Sequence, residues 1–403
     1  MLSNRQLFLN HIAQTSPSPI AIEMVKAEGI YLYDVNEKKY FDAISGFSVA
    51  NIGHSNLKVI AAVKQQAEQY MHLIVYGEFI QQPQVAYAKL LTDNLPSSLN
   101  CVYFTNSGAE ATEGAMKLAK RFTNRSKIIS FNKSYHGSTQ GALSVMGDEY
   151  WRNAFRPLLP DVFHADFGSE EAIDLIDENT ACVIMEVVQA EAGIIVPSKQ
   201  WIQLLRKKCD ENNVLLIVDE IQSGFGRTGS LWAFQQFDMV PDILLLGKAL
   251  GGGMPLGAFI ADKKIMSSLT DNPVLGHITT FGGHPVSCAA GKAAFEVLLS
   301  EDYISSIKQK QKLVVKLLQH KKIKAVRSCG LWFAIEFDSF ETNHSIIQQC
   351  IKNGLITDWF LFAANCLRFA PPLIATEIEL KEMCEIILKS CDQTNQDFAL
   401  GFV

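Results

Sequence analysis

Two short apolar runs constrain the architecture of this chain more than any other feature. Val214–Val218 and Ile243–Leu246 are each too short for a typical helix, and rich enough in Val, Ile and Leu to be strands buried on both faces. Doubly buried strands belong in a mostly parallel sheet with helices over each side. The first run ends in Asp219 and the second, after Gly247, in Lys248. Open parallel sheets collect ligands at the carboxyl ends of their strands, so a carboxylate and an amine converge on one crevice. Pyridoxal phosphate makes the most economical use of such a pair. Lys248 would form its Schiff base, and Asp219 would keep the pyridine nitrogen protonated so that the ring accepts electrons. Taken singly, Asp219 reads as a cap and Lys248 as a solvated strand end.

Between the two runs, Gly224-Phe-Gly226-Arg-Thr-Gly229 satisfies the dinucleotide pattern G-x-G-x-x-G. That pattern belongs in a turn leading directly from strand to helix. Here Asp-Glu-Ile-Gln-Ser intervenes after the strand, and the segment beyond the glycines is a poor helix with an early Pro, so the dinucleotide reading is rejected. A non-catalytic nucleotide-binding module also lacks its G-x-x-x-x-G-K-[ST] loop.

The rest of the chain alternates in the same way. Residues 21–48 form an antiparallel meander with a hairpin turn at Val35–Lys38, and helical patterns follow at Asn56–His72 and Gln84–Leu95. Strand Cys101–Thr105 runs into Asn106-Ser107-Gly108-Ala109, where a helix opens with free backbone amides suited to an anion; an ordinary Ser N-cap is the plainer reading. Strands follow at 127–131, 181–188 and Ala258–Ala261, with a helix at Lys199–Asn212 and one long or broken helix over 285–320. Strand, helix and strand patterns then recur up to a final helix near Glu377–Ser390.

With 403 residues, 48% of them hydrophobic, the chain can bury a large core. A net charge of -6 argues against a nucleic-acid partner. Nine cysteines without C-x-x-C spacing read as free thiols in a reducing compartment. No signal-like core or run of about 18 apolar residues occurs, so a cytoplasmic protein with no membrane partner is expected. No metal-ligand spacing stands out.

The segments FTNSGAEATEGAMKLA, SYHGST, VDEIQSGFGRTG, PDILLLGKALGGGMPLGAF, TTFGGHP and LRFAPPL, in this order, resemble the class III aminotransferases. That pyridoxal-phosphate family includes acetylornithine, ornithine and 4-aminobutyrate aminotransferases, and the resemblance runs from about Pro17 to Thr376. It implies a fold-type I α/β transferase, with a large domain over 49–296 and a smaller α+β domain made of 1–48 and 297–403. It also implies a homodimer with shared active sites, moving an amino group from an amine or amino acid to a 2-oxo acid. A mutase, racemase or phospho-lyase on the same scaffold is the alternative outcome.

Position by position, the resemblance makes Lys248 and Asp219 catalytic. Ser107, Gly108 and Ala109 cradle the phosphate, and Tyr135 stacks on the ring beside His136. Gln222 lies near the phenolic oxygen, Glu186 joins the cofactor site, and Thr280 reaches the neighbouring subunit's phosphate. Arg368 takes a substrate carboxylate, with Glu191 neutralising it in the carboxylate's absence. Ser138 stands where the ornithine and acetylornithine branch has an arginine, and Phe47 where the ornithine enzyme has a tyrosine; both are expected to touch substrate. A bulky set, Trp332, Phe333, Trp359, Phe360 and Phe362, reads first as core packing.

Overall fold

The two apolar runs lie at the middle of a seven-stranded sheet. The computed structural model describes residues 2–394. In chain order the strands are β1 (Met24–Glu28), β2 (Tyr31–Asp34), β3 (Lys39–Asp42), β4 (Cys101–Thr105), β5 (Lys127–Phe131), β6 (Val162–Ala165), β7 (Thr180–Glu186) and β8 (Leu215–Asp219). They continue with β9 (Ile243–Leu246), β10 (Gly257–Ala261), β11 (Ala325–Ser328), β12 (Phe333–Glu336), β13 (Leu355–Ile356), β14 (Asp358–Phe360) and β15 (Ala363–Phe369). The large sheet has the order β4-β10-β9-β8-β7-β5-β6. Its pairings from β9 through to β6 are all parallel, whereas β10 is antiparallel to both neighbours. The link from β9 to β10 holds only a single turn of 3-10 helix, Lys248–Gly251, too short for the crossover that a parallel partner needs.

Alternate residues of each central strand enter different cores. Val183, Met185, Leu216, Val218, Leu244 and Leu246 face one apolar cluster. Cys182, Ile184, Leu215, Ile217, Ile243 and Leu245 face the other, with Ala111, Ala115, Leu118 and Ala119 of helix Gly108–Thr123 packed over them. The small residues of that helix let it lie close: a Cβ on Gly114 would meet the Phe259 ring at 2.4 Å. Ser107 caps the helix by accepting from Glu110 N at 3.2 Å, and Asn124 ends it in the left-handed region.

Two departures from expectation have local causes. The strand expected over 181–188 stops at Glu186, because Gln189 pairs with Ile195 across a turn that draws the chain out of the sheet. The helix expected over 285–320 is broken into Pro285–Ser300 and Ile307–Leu317, with Glu301 extended between them. Ser and Asp side chains around that break compete for backbone groups and favour turns over helix.

Two smaller sheets complete the fold. The meander closes at Val35–Lys38, where the Asp34 carboxylate accepts from Asn36 N and Lys38 N. Its sheet, β1-β2-β3-β13, gains β13 from far along the chain, parallel to β3. The second sheet has the order β11-β12-β15-β14. Among the described residues no helix is long and apolar enough to cross a membrane.

Candidate active site

The carboxyl ends of β7, β8 and β9 are adjacent, and they deliver Glu186, Asp219 and, one residue past Gly247, Lys248 to a cavity of about 500 Å³. Lys248 takes a left-handed φ of 49°, unusual for a residue with a Cβ. The residue as a whole is half-buried, but its amine end lies against buried Gln222, with Nζ donating to Oε1 at 2.8 Å. Burial pulls the Lys248 pKa down to about 8, opposed chiefly by the Glu191 charge. The amine is therefore available as nucleophile and base near neutral pH.

Asp219 is held from two sides: Oδ1 accepts from Ile221 N at 2.9 Å, and Oδ2 lies 2.8 Å from His136 Nδ1. Strand register sets Glu186 directly beside it. Burial, reinforced by the Asp219 charge, pushes the Glu186 carboxyl well above its ordinary pKa, while its oxygens accept from Tyr135 N at 3.3 Å and Ala190 N at 3.1 Å. Gly108 and Ala109 begin the helix and line the cavity, and the first amides of a helix have no intrahelical acceptor. A Cβ on Gly108 would meet the Ile221 side chain at 2.7 Å, so a larger residue there would displace that side chain from the helix start. Ser107 directs its hydroxyl to the cap and stays out of the cavity wall. Tyr135 and Ser138 line the cavity with their hydroxyls 3.1 Å apart.

Glu191 lines the cavity too, and behind it lies Arg368, 2% exposed. The two form a fork: Nη1 to Oε1 and Nη2 to Oε2, each 2.9 Å. Burial would raise the Glu191 carboxyl, but the guanidinium overrides it and holds the pKa below the ordinary value. Arg368 Nε donates to Asp358 Oδ1 at 2.9 Å, and the guanidinium lies 4.3 Å from the Phe360 ring centroid and 5.2 Å from that of Phe47. Phe47 does not itself line the cavity. Thr280 is exposed and lies outside the cavity of its own chain.

Of the aromatic set, Trp332, Phe333 and Phe360 are indeed fully buried, yet Trp332 also walls the cavity and Phe360 lies over Arg368. Ser223 and Asp358 were not singled out from sequence. Asp358 had a visible signal, an acid and a base cross-strand partners ten residues apart in one hairpin. Ser223 carries none, being one buried hydroxyl beside Gln222.

A pyridoxal-phosphate fit can be tested on unsatisfied groups. Gln222 Nε2, His136 Nε2 and Ser223 Oγ are buried with no partner among the described residues, around an amine, two carboxylates and a helix N-terminus. An elongated ligand with a dianionic end, a basic ring nitrogen and an aldehyde would satisfy such a set. No metal-holding cluster of His, Cys, Asp or Glu occurs among the described residues.

Comparison with known proteins gives the same chemistry. Residues 12–390 match the family model for class-III aminotransferases. An acetylornithine aminotransferase of Methanopyrus kandleri is 37% identical over 91% of this chain and 93% of its own length. One from Archaeoglobus fulgidus is 35% identical over 94% and 97%. Among solved structures, an adenosylmethionine-8-amino-7-oxononanoate aminotransferase of Methanocaldococcus jannaschii superposes with a TM-score of 0.90 at 29% identity, covering 97% of this chain and 99% of that one. An ornithine aminotransferase of Toxoplasma gondii, in which pyridoxal phosphate partly occupies the active site, superposes at 0.88 with 30% identity, covering 95% and 92%.

Proposed function

The chain belongs to the class III aminotransferases, which are pyridoxal-phosphate enzymes, and on that premise we propose that it moves an amino group from an amine or amino acid to a 2-oxo acid by a ping-pong route through this cavity. The Lys248 amine carries the proposal. It is fixed to Gln222 at 2.8 Å, lowered in basicity, and flanked by Asp219 and Glu186 on the next two strands. Bound pyridoxal phosphate supplies an aldehyde carbon that takes up amines and a ring that accepts the electron pair left when a proton departs.

The chain's own residues do the remaining work. The amides of Gly108 and Ala109, next to the Ser107 cap, would hold the phosphate. Tyr135 would cover the ring, and the free Nε2 of Gln222 would meet its phenolic oxygen. Asp219, fixed by His136 and Ile221 N, would hold the proton on the ring nitrogen. Glu186, whose carboxyl is pushed up by burial and by the Asp219 charge, would limit crowding of negative charge there. Lys248 Nζ would take the proton from the carbon bearing the amino group and deliver it to what had been the cofactor's aldehyde carbon.

Substrates would be sorted by Arg368. With Glu191 on the guanidinium, a donor can present an amino group with no carboxylate beside it; with Glu191 displaced, an α-carboxylate takes the fork. Relatives named for acetylornithine and ornithine support a donor whose reacting amino group lies at the far end from its carboxylate. Ser138, whose hydroxyl is engaged with Tyr135, offers a distal carboxylate much less than an arginine would. We therefore expect a modest preference for 2-oxoglutarate over pyruvate, enlarged about tenfold in Ser138→Arg. Arg368→Ala should damage both acceptors alike, by roughly 10- to 150-fold in kcat/KM for the lost charge-assisted fork. Specificity constants for the two acceptors in the three proteins decide this. A wild type already strongly selective for 2-oxoglutarate and indifferent to Ser138→Arg would move the distal carboxylate to another base.

A homodimer is part of the proposal, with Thr280 completing the phosphate site of the neighbouring subunit. Met71, Phe79 and Ile80 (95% exposed), together with Ile278 and Phe281 near Thr280, support it as unpartnered apolar surface. Light scattering should give twice the 44.7 kDa chain mass, and Ile80→Asp should shift it towards the monomer; a monodisperse monomer in wild type would remove Thr280 from the site. The domain division at 1–48, 49–296 and 297–403 is proposed likewise, supported by the pairing of β13 with β3; Met1 and residues 395–403 lie outside the described residues. A cytoplasmic location fits nine cysteines without a disulfide, eight of them buried, and a role in amino-acid metabolism fits relatives named for acetylornithine and ornithine.

A further inference from the structure

Beside Arg368 the backbone does something that its sequence does not favour. Ser45, Gly46, Phe47 and Ser48 have φ of 51°, 54°, 62° and 63°, four left-handed residues in succession, of which only Gly46 escapes a Cβ clash. Such a run persists only where its surroundings over-determine it. Here the surroundings can be named. The Asp42 carboxylate accepts from Ile44 N at 3.0 Å and from Gly46 N at 3.1 Å. Ser45 Oγ donates to Ala370 O at 2.5 Å and accepts from Arg227 Nη2 at 3.1 Å.

Arg227 is fully buried, and among the described residues no carboxylate pairs with it. Its donors go instead to three distant segments. Nη2 also reaches Asn51 Oδ1 at 2.5 Å, while Nη1 donates to Leu331 O at 2.9 Å and Pro371 O at 2.7 Å. One guanidinium thus grips the left-handed turn on one side and, on the other, the chain just beyond Arg368. Phe47, the tip of the turn, is 43% exposed, so packing alone does not hold its ring; yet the ring lies 5.2 Å from the Arg368 guanidinium. Without the grip, the turn can relax to ordinary backbone angles and withdraw the ring.

We propose that Arg227 is a positioning residue for carboxylate recognition, acting through Ser45 to lock the left-handed turn that sets Phe47 against Arg368. The proposal rests on Arg368 as the carboxylate receptor. Arg227 never meets substrate; it fixes the wall against which the carboxylate is oriented.

Ser45→Ala tests this with little threat to folding, since it removes one hydroxyl and leaves Arg227 its other three acceptors. The holoenzyme's kcat and KM for pyruvate are measured in wild type, Ser45→Ala, Phe47→Ala, the Ser45→Ala/Phe47→Ala double variant and Arg368→Ala. Ser45→Ala is expected to raise KM about tenfold with kcat within about twofold, and the double variant to be no worse than Phe47→Ala, because both act through one contact. Arg227→Lys, which cannot span these acceptors, should reproduce the KM effect where it folds. Multiplying effects in the double variant, or an unchanged KM with a lower kcat and Tm, would overturn the proposal. If Arg368→Ala itself leaves KM unchanged, carboxylate receipt by Arg368 has failed. If Arg368→Ala raises KM and Ser45→Ala does not, only the positioning role of Arg227 has failed.

Discussion

Lys248→Ala is expected to abolish turnover, by at least about 10³-fold, while the protein still binds pyridoxal phosphate through its phosphate and ring contacts. The loss has two sources, the covalent attachment and the proton carrier, and no neighbouring side chain can replace either: Gln222 does not titrate, and Glu186 and Asp219 are acids already engaged. A residual rate above a tenth of wild type would show that another base moves the proton. The wild type should carry the signature of the same amine in its pH profile. A lowered pKa means that the Lys248 amine, once the donor has displaced it from the cofactor, gives up its proton as pH rises through about 8. The proton-transfer step of the donor half-reaction should therefore climb below that pH and level off above it. Stopped-flow half-reactions across pH 6–10, as an order-of-magnitude window, are the measurement. A profile flat through about 8 would separate the base from Lys248.

Asp219→Asn should be the next most damaging change, with about 10³-fold or more lost from the single-turnover rate and cofactor still bound. Asn can keep one of the two contacts, accepting from Ile221 N through its amide oxygen. Its NH₂ then faces His136 Nδ1, and it carries no charge that would hold a proton on a ring nitrogen. A half-reaction within tenfold of wild type would shift that role elsewhere, with Glu186 the nearest carboxylate. His136 bears on the same question at one remove. Its ring fixes Oδ2 of Asp219, so His136→Ala should affect the rate less than Asp219→Asn does.

The parts of the site that could be read in the sequence depend on strand ends and helix starts. Ile243–Leu246 is the observed β9 residue for residue, and Cys101–Thr105 is the observed β4, because short apolar runs bounded by turn residues admit few alternatives. Lys248 and Asp219 follow from such ends, and Gly108 and Ala109 from the Ser-Gly helix start, whereas Glu186 is legible only through the family resemblance because the apolar pattern runs on to residue 188. The antiparallel direction of β10 departs from the parallel pattern read in the sequence, and its physical reason is the short link from β9. What could not be read joins residues remote in the chain. Arg227 meets Ser45 across 182 positions and Pro371 across 144, and no local pattern announces either contact. The left-handed turn at Ser45–Ser48 is likewise set by those remote partners against the preference of its own residues. Trp332 is both core and cavity wall, a distinction that burial propensity alone does not make.

The pairing of β13 with β3 sets a timetable for biosynthesis. Lys38 donates to the carbonyl of Lys352, 314 residues later, and Phe41 and Asp42 find their strand partners only at Leu355 and Ile356. A ribosome adding about 5–20 residues per second needs roughly 15–60 s to cover that distance. Throughout that interval the meander carries an open edge beside β3, although the strands of the large sheet, up to β10 at residue 261, have emerged by the time about two-thirds of the chain is made. Non-local closure of this kind slows folding and exposes edges to wrong partners. The nascent chain should therefore need protection longest at its own beginning, and changes that make β3 more apolar should lower the yield of folded protein before they lower its stability.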